Sequence, residues 1–217
     1  MGVTILLPTY NEEENIAKMI DSIRSISKKY KITVVDSNST DNTQKIAKLM
    51  GAQVIAINKR GKGLAVKHAL QRITEDYLII MDSDLTYPVK KIPQFLELLK
   101  NFDVAIGSRF RGNIENGAMT PINKFGNIFL TMLASLTYGK NISDVCSGMW
   151  GFTKKAYKKI SINAPHFELE VNLFVQCVKN GLRFCEIPIE YKKRGGKTKL
   201  RVSDGLRIAG YLVRRRF

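Results

Sequence analysis

Tyr77-Leu78-Ile79-Ile80-Met81-Asp82-Ser83-Asp84-Leu85-Thr86-Tyr87-Pro88 is the stretch from which the fold can be read. Its apolar run, Leu78 to Met81, has the length and make-up of a buried central strand, and it stops at two acids one residue apart. Parallel sheets bind ligands beyond the carboxyl ends of their strands, and that is where this pair falls. Two close carboxylates repel one another unless a cation or a proton lies between them. Mg²⁺ and Mn²⁺ are commonly held by one or two carboxylates together with substrate phosphates. Asp82 and Asp84 are therefore the candidate metal ligands, with a solvated turn as the plain alternative.

Working outward, short apolar runs alternate with amphipathic stretches, a βαβα pattern that predicts a parallel sheet covered by helices. Strand one, Val3 to Leu7, runs into Pro8-Thr9-Tyr10-Asn11-Glu12, where Asn11 is positioned to cap a helix carrying Ile16, Met19, Ile20 and Ile23. Strand two, Ile32 to Val35, ends at Asp36, and a helix begins near Asp41. Strand three, Gln53 to Ile57, leads through Arg60-Gly61-Lys62-Gly63 into a helix over Leu64 to Ile73. Four strand ends thus carry polar chemistry, and in a parallel sheet all four share one edge. The Gly-Lys-Gly loop suits close approach of backbone and cations to phosphate, although its spacing is not that of a Walker A loop. Strand one is not followed by the glycine pattern of a dinucleotide-binding fold.

Past the acidic pair, a strand over Val104 to Gly107 brings Ser108-Arg109-Phe110-Arg111 to the same edge. Phe125 to Tyr138 is strongly apolar and too short to span a bilayer, and it reads as a buried core helix ahead of an interfacial one. Asp144 to Phe152 contains two glycines, Glu168 to Asn180 reads as an amphipathic helix, and Phe184 to Tyr191 as a strand. A basic segment, residues 192–201, precedes a basic amphipathic helix over Val202 to Phe217, which is a membrane-surface pattern.

The totals agree with an anion-binding domain. The 217 residues suffice for one large α/β domain, and the net charge of +16 favours nucleotide, phospholipid headgroup or nucleic acid as partner. No aromatic-basic recognition module supports nucleic acid. Three cysteines, Cys146, Cys177 and Cys185, have neither zinc spacing nor a disulfide framework and read as small core residues of a reducing compartment. With no charged leader and no stretch of about 20 apolar residues, a cytoplasmic chain that touches a membrane peripherally is expected.

Taken together and in order, Pro8-Thr9-Tyr10-Asn11-Glu12, Asp36, Arg60-Gly61-Lys62-Gly63, Asp82-Ser83-Asp84, Gly107-Ser108-Arg109-Phe110, Ser147-Gly148, Ile187-Pro188-Ile189, Arg194-Gly195 and Thr198-Lys199-Leu200 resemble the family 2 glycosyltransferases. The closest likeness is to the dolichyl-phosphate mannose synthase and polyprenyl-phosphate glycosyltransferase branch. That resemblance implies a GT-A fold: one α/β domain, a mixed, mostly parallel sheet with helices on both faces. Residues 1–107 would form the nucleotide-sugar half, 108–200 the acceptor side, and 201–217 the basic C-terminal helix.

It also implies roles for individual residues. Pro8, Tyr10, Glu12 and Asp36 would line the base and ribose pocket, and Lys62 would lie beside base or phosphates. Asp82, Ser83 and Asp84 would meet the donor diphosphate, with Mg²⁺ or Mn²⁺ on the two acids. Arg109, with Lys124, would meet the acceptor phosphate, and Arg194 and Lys199 would close over the diphosphate. Ser37 and Thr198 stand where the family usually has a second acid and a serine.

The implied reaction is inverting transfer of a hexose or N-acetylhexosamine from UDP-GlcNAc, UDP-glucose or GDP-mannose to dolichyl or another polyisoprenyl phosphate. An acceptor phosphate is already anionic, whereas a saccharide hydroxyl needs a base. The alternative is therefore a hydroxyl acceptor with Asp144 as that base. A nucleotidyltransferase lacks its glycine-rich loop here, and a nucleic-acid-binding protein would leave Asp82 and Asp84 without a role.

Overall fold

A computed structural model describes residues 1–195 and 202–214. The first half runs β1 (Val3–Thr9), α1 (Ile16–Ile26), β2 (Lys31–Ser37), α2 (Thr43–Leu49), β3 (Gln53–Ile57), α3 (Lys62–Leu70), β4 (Tyr77–Ile80) and, after a 3-10 turn, α4 (Ile92–Leu98). The second half runs β5 (Val104–Ile114), α5 (Pro121–Tyr138), β6 (Trp150–Thr153), α6 (Lys154–Tyr157), α7 (Leu169–Lys179), β7 (Phe184–Tyr191) and α8 (Val202–Arg214). The seven strands form one sheet in the order β3-β2-β1-β4-β6-β5-β7. Strands β1 to β4 pair in parallel, β6 is antiparallel to both β4 and β5, and β5 pairs in parallel with β7. Only β6 is reversed, so β4 and β5 point the same way and deliver their carboxyl ends to one edge.

Alternation along each strand divides the core between two faces. Leu6, Leu78, Ile80, Val104 and Ile106 pack with α3, α5, α7 and α8, whereas Ile5, Leu7, Ile79, Met81 and Ala105 pack with α1, α2 and α4. The mixed α/β architecture with helices on both faces is the one the sequence predicts. Strand β6 is an addition: at four residues, three of them at or beside Gly151, it carries too little alternation to be read as a strand.

Two local expectations are corrected. Asn11 does not cap α1. It takes a left-handed backbone (φ 48°), and its side-chain oxygen accepts from the backbone N–H of Thr40 at 2.9 Å, so it ties the β1 loop to the β2 loop. Nor is α5 a buried core helix. Its start is capped by the Thr120 hydroxyl, with Pro121 in the first turn, and Gly139 ends it in the left-handed region (φ 61°). Leu130, Thr131 and Ala134 face the core, but Ile122, Phe125, Phe129, Met132 and Leu136 are 53–77% exposed. The spacing of those five residues makes one outer stripe along the helix.

The opposite holds for α7, which reads as amphipathic but is buried continuously from Leu169 to Val175, Glu170 and Asn172 included. The cysteines match their packing role: burial pushes the Cys146 thiol up to about 12 and Cys185 up to about 11.

Candidate active site

The carboxyl ends of β1, β2 and β4 converge as predicted. β1 ends beside β2 at the pairing of Thr9 with Asp36, and the loop after β4 lies against it, with the Ser83 hydroxyl donating to the Pro8 carbonyl at 3.3 Å. Asp36 is fully buried and accepts from Ser39 N–H (2.9 Å), Ser39 Oγ (2.5 Å) and Gln44 Nε2 (2.7 Å), so the short β2–α2 loop is folded around it. Exposed Arg60 lies over the ring of Tyr10, 4.1 Å from its centroid, and makes a cation–π pair at the rim.

Around the acidic pair the charges interlock. Lys62, the first residue of α3, donates from Nζ to Asp82 Oδ1 and to Glu170 Oε1, both at 2.5 Å. Burial alone would lower the ammonium pKa, but Asp82 and Glu170 together hold it above its ordinary value. Arg194 bridges Glu12 through Nη2 and Asp84 through Nη1, the latter at 3.0 Å. Asp84 also accepts from the Thr86 hydroxyl at 2.6 Å, and Leu85 between them is held at φ 66°, a left-handed conformation uncommon for leucine. Burial first, then the neighbouring Asp82, raises the Asp84 carboxyl above its ordinary value against the pull of Arg194.

Glycines shape this edge, for reasons that differ from the expected one. A Cβ at Gly61 or Gly63 would strike the carbonyls of Pro165 or Ala164, and the N–H groups of Gly63 and Leu64 donate to the carbonyls of His166 and Pro165. The close backbone approach at this loop is therefore to residues 164–166, and those carbonyls cap the start of α3. Gly148 is bare because a Cβ there would overlap the carboxylate of Asp82, and its N–H donates to the buried Tyr87 hydroxyl at 2.6 Å.

Two hard oxygen donors one residue apart fit a divalent cation. Lys62 bonds to Oδ1 of Asp82, the Asp82 side chain is 29% exposed, and its Oδ2 lies nearest to where a Cβ on Gly148 would stand. No cluster of three or more metal-ligating side chains occurs among the described residues. A cation here would take its remaining ligands from water and substrate, as Mg²⁺ and Mn²⁺ commonly do.

A second charged locus is built on β5. Its ladder with β7 is interrupted between Ser108 and Asn113, because the N–H of Arg109 turns away to Asp144 Oδ2 at 3.0 Å. The guanidinium follows, donating from Nε to Oδ2 and from Nη2 to Oδ1, both at 2.7 Å. Both side chains are buried, and the guanidinium also lies 5.2 Å from the Tyr191 ring centroid. Glu186 on β7 fixes the loop that carries Asp144 by accepting from Ser143 N–H at 2.9 Å and Asp144 N–H at 3.2 Å. Lys124 is exposed on the first turns of α5, and Lys199 lies outside the described residues. Glu170 and Glu186 were not singled out from the sequence. The signal for Glu170 was available: an acid flanked by Leu169, Val171, Leu173 and Phe174 has no solvated face to occupy unless it is paired.

The model for the family described as "Glycosyl transferase family 2" matches residues 4–161. The chain belongs to that family. Among glycosyltransferases, it is 34% identical to glycosyltransferase AglJ of Haloferax volcanii, over 97% of this chain and 69% of AglJ. It is 32% identical to the dolichyl-phosphate hexose transferase of the same organism, over 91% of this chain and 86% of that protein. Glucosyl-3-phosphoglycerate synthase from Mycobacterium tuberculosis shares the fold, with a TM-score of 0.78 at 20% identity over 99% of this chain and 79% of that one. That synthase has been solved in complex with Mn²⁺, UDP and glucosyl-3-phosphoglycerate. This family 2 glycosyltransferase carries its acidic pair, Asp82 and Asp84, just beyond the carboxyl end of β4.

Proposed function

We propose that this glycosyltransferase moves a hexose or N-acetylhexosamine from a nucleotide sugar to dolichyl or another polyisoprenyl phosphate, with inversion at the anomeric carbon, at the cytoplasmic face of a membrane. UDP-GlcNAc, UDP-glucose and GDP-mannose are the leading donors. One observation carries the reading: the buried carboxylates of Glu12 and Asp84 and the half-buried Asp82, Lys62 and Arg194 meet at the carboxyl edge of the sheet. The dolichyl-phosphate acceptor is supported by the relative of that name, which the chain matches over most of both lengths.

In this reading Pro8, Tyr10, Glu12 and Asp36 bind the base and ribose, and Asp82 and Asp84 hold Mg²⁺ or Mn²⁺ with Ser83 between them. The bound cation supplies Lewis-acid stabilisation of the negative charge that builds on the departing diphosphate. Arg194, released from Glu12 and Asp84, would add positive charge at the same place, as would Lys199. Arg109 and Lys124 orient the acceptor phosphate, whose anionic oxygen attacks without a general base. Both oxygens of Asp144 are occupied by Arg109, an arrangement that supports orientation of the arginine over proton abstraction from a hydroxyl. The exposed apolar stripe of α5 would rest in the lipid boundary, beside the basic C-terminal helix.

The test is transfer of radiolabelled sugar from each donor into organic-extractable lipid, with dolichyl phosphate and Mn²⁺ or Mg²⁺. Label in the lipid phase that is abolished by chelator and by Asp84→Ala is expected. Metal-dependent transfer to a soluble saccharide alone would move the assignment to the hydroxyl-acceptor alternative.

A further inference from the structure

Lys62 serves two anions at once. Its Nζ lies 2.5 Å from Asp82 Oδ1 and 2.5 Å from Glu170 Oε1, with the lysine side chain 17% exposed and that of Glu170 10%. Asp82 belongs to the pair read above as cation ligands. Glu170 does not; it enters from α7, on a turn otherwise committed to the apolar core. Such an acid is costly to bury, and the loop at residues 164–166 that caps α3 also leads into α7, so the two helices fix the lysine and the glutamate relative to each other.

The consequence concerns competition. An ammonium paired with Asp82 alone would sit where it neutralises that carboxylate and repels an incoming cation. A second carboxylate at hydrogen-bond distance gives the ammonium somewhere to stay when Asp82 turns to a metal. We propose that Glu170 is a positioning residue for the cation site: it retains Lys62 and so leaves Asp82 available to a divalent ion. The proposal rests on the reading of Asp82 and Asp84 as metal ligands. It predicts that Glu170 acts through Lys62, and that Lys62 weakens, not strengthens, binding of the ion alone.

The experiment is titration of Mn²⁺ alone into purified protein, with free ion followed by electron paramagnetic resonance and folding checked by thermal melts. Glu170→Gln should weaken Mn²⁺ binding by about 10-fold, the usual scale for a residue that orients a ligand. In a Lys62→Met background the same change should have little effect, within about 2-fold, because its intermediary is gone. An equal loss with and without Lys62 would show a general charge effect and overturn the proposal, as would an unaltered affinity in Glu170→Gln. Should Glu170→Gln not fold, Lys62→Met carries the test alone: tighter Mn²⁺ binding supports the competition, and weaker binding refutes it. Asp82→Asn separates the two levels. No Mn²⁺ binding by the unaltered protein, or binding that survives Asp82→Asn, would refute the metal reading and the proposal with it.

Discussion

Arg109 grips Asp144 by both carboxylate oxygens and by its own backbone N–H, in a site from which water is almost excluded. Removing one member of such a pair strands the other as a buried charge, at a cost of about 3–5 kcal/mol. Asp144→Ala should therefore lower the melting temperature markedly. Asp144→Asn keeps the shape and one acceptor, so it should fold with a smaller loss and raise KM for the polyisoprenyl phosphate more than it lowers kcat. A general base would behave otherwise: the same asparagine would leave KM alone and lower kcat by about 100-fold or more. Steady-state kinetics against acceptor concentration decides between the two.

Gly148 offers a test that leaves every charge in place. A methyl group there overlaps the Asp82 carboxylate and nothing softer, since the next nearest atoms belong to the same carboxyl group. Gly148→Ala should displace Asp82 and reduce transfer by about 100-fold, the scale of losing one charge-stabilising group. The melting temperature should stay close to that of the unaltered protein. Normal activity at saturating Mn²⁺ would show that Asp82 can move without consequence.

The architecture was legible because β1, β2, β3 and β4 are short apolar runs followed by polar or turn residues, and because those four ends share one edge. What was not legible depended on partners far along the chain. Glu12 meets a residue 182 positions away, and Lys62 one 108 positions away, so neither pairing leaves a local pattern. The glycines around Lys62 were readable as a place of close approach, but not that residues 164–166 make the approach. The apolar segment of α5 gave its hydrophobicity without its direction: composition alone does not say whether Phe125 and Phe129 face the sheet or the outside.

That outward stripe leads to a prediction about membranes. Among the described residues no helix is long and apolar enough to cross a bilayer, so lipid contact here would be interfacial. Each large apolar side chain transferred from water is worth about 1.5–3 kcal/mol. Replacing Phe125 and Phe129, 74% and 53% exposed, with serine should leave the melting temperature within a degree or two while sharply reducing co-sedimentation with anionic vesicles. Transfer to a short-chain, water-soluble polyisoprenyl phosphate should survive in that variant. Unchanged vesicle binding would assign the stripe to something other than lipid.

Stability can be separated from catalysis at the opposite end of the strands. Glu75, just before β4, accepts from Thr4 Oγ1 at 2.9 Å, from Lys31 Nζ at 2.9 Å and from Thr74 N–H at 3.1 Å, tying together the starts of β1, β2 and β4. Partial burial pushes its carboxyl up, but the bonds from Lys31 and Thr4 outweigh this and bring it from 4.5 down to about 2. A carboxyl whose pKa is lower in the folded than in the unfolded chain stabilises the fold above the unfolded value and loses that contribution as pH falls through the folded one. Glu75→Gln should thus cost about 1 kcal/mol at pH 7, a figure held down by solvent at a partly exposed site. The gap in melting temperature should begin to close below pH 4.5 and be largely gone near pH 2, with sugar transfer at pH 7 unaffected throughout. A gap that stays constant across that window would mean that Glu75 stabilises by shape and not by charge.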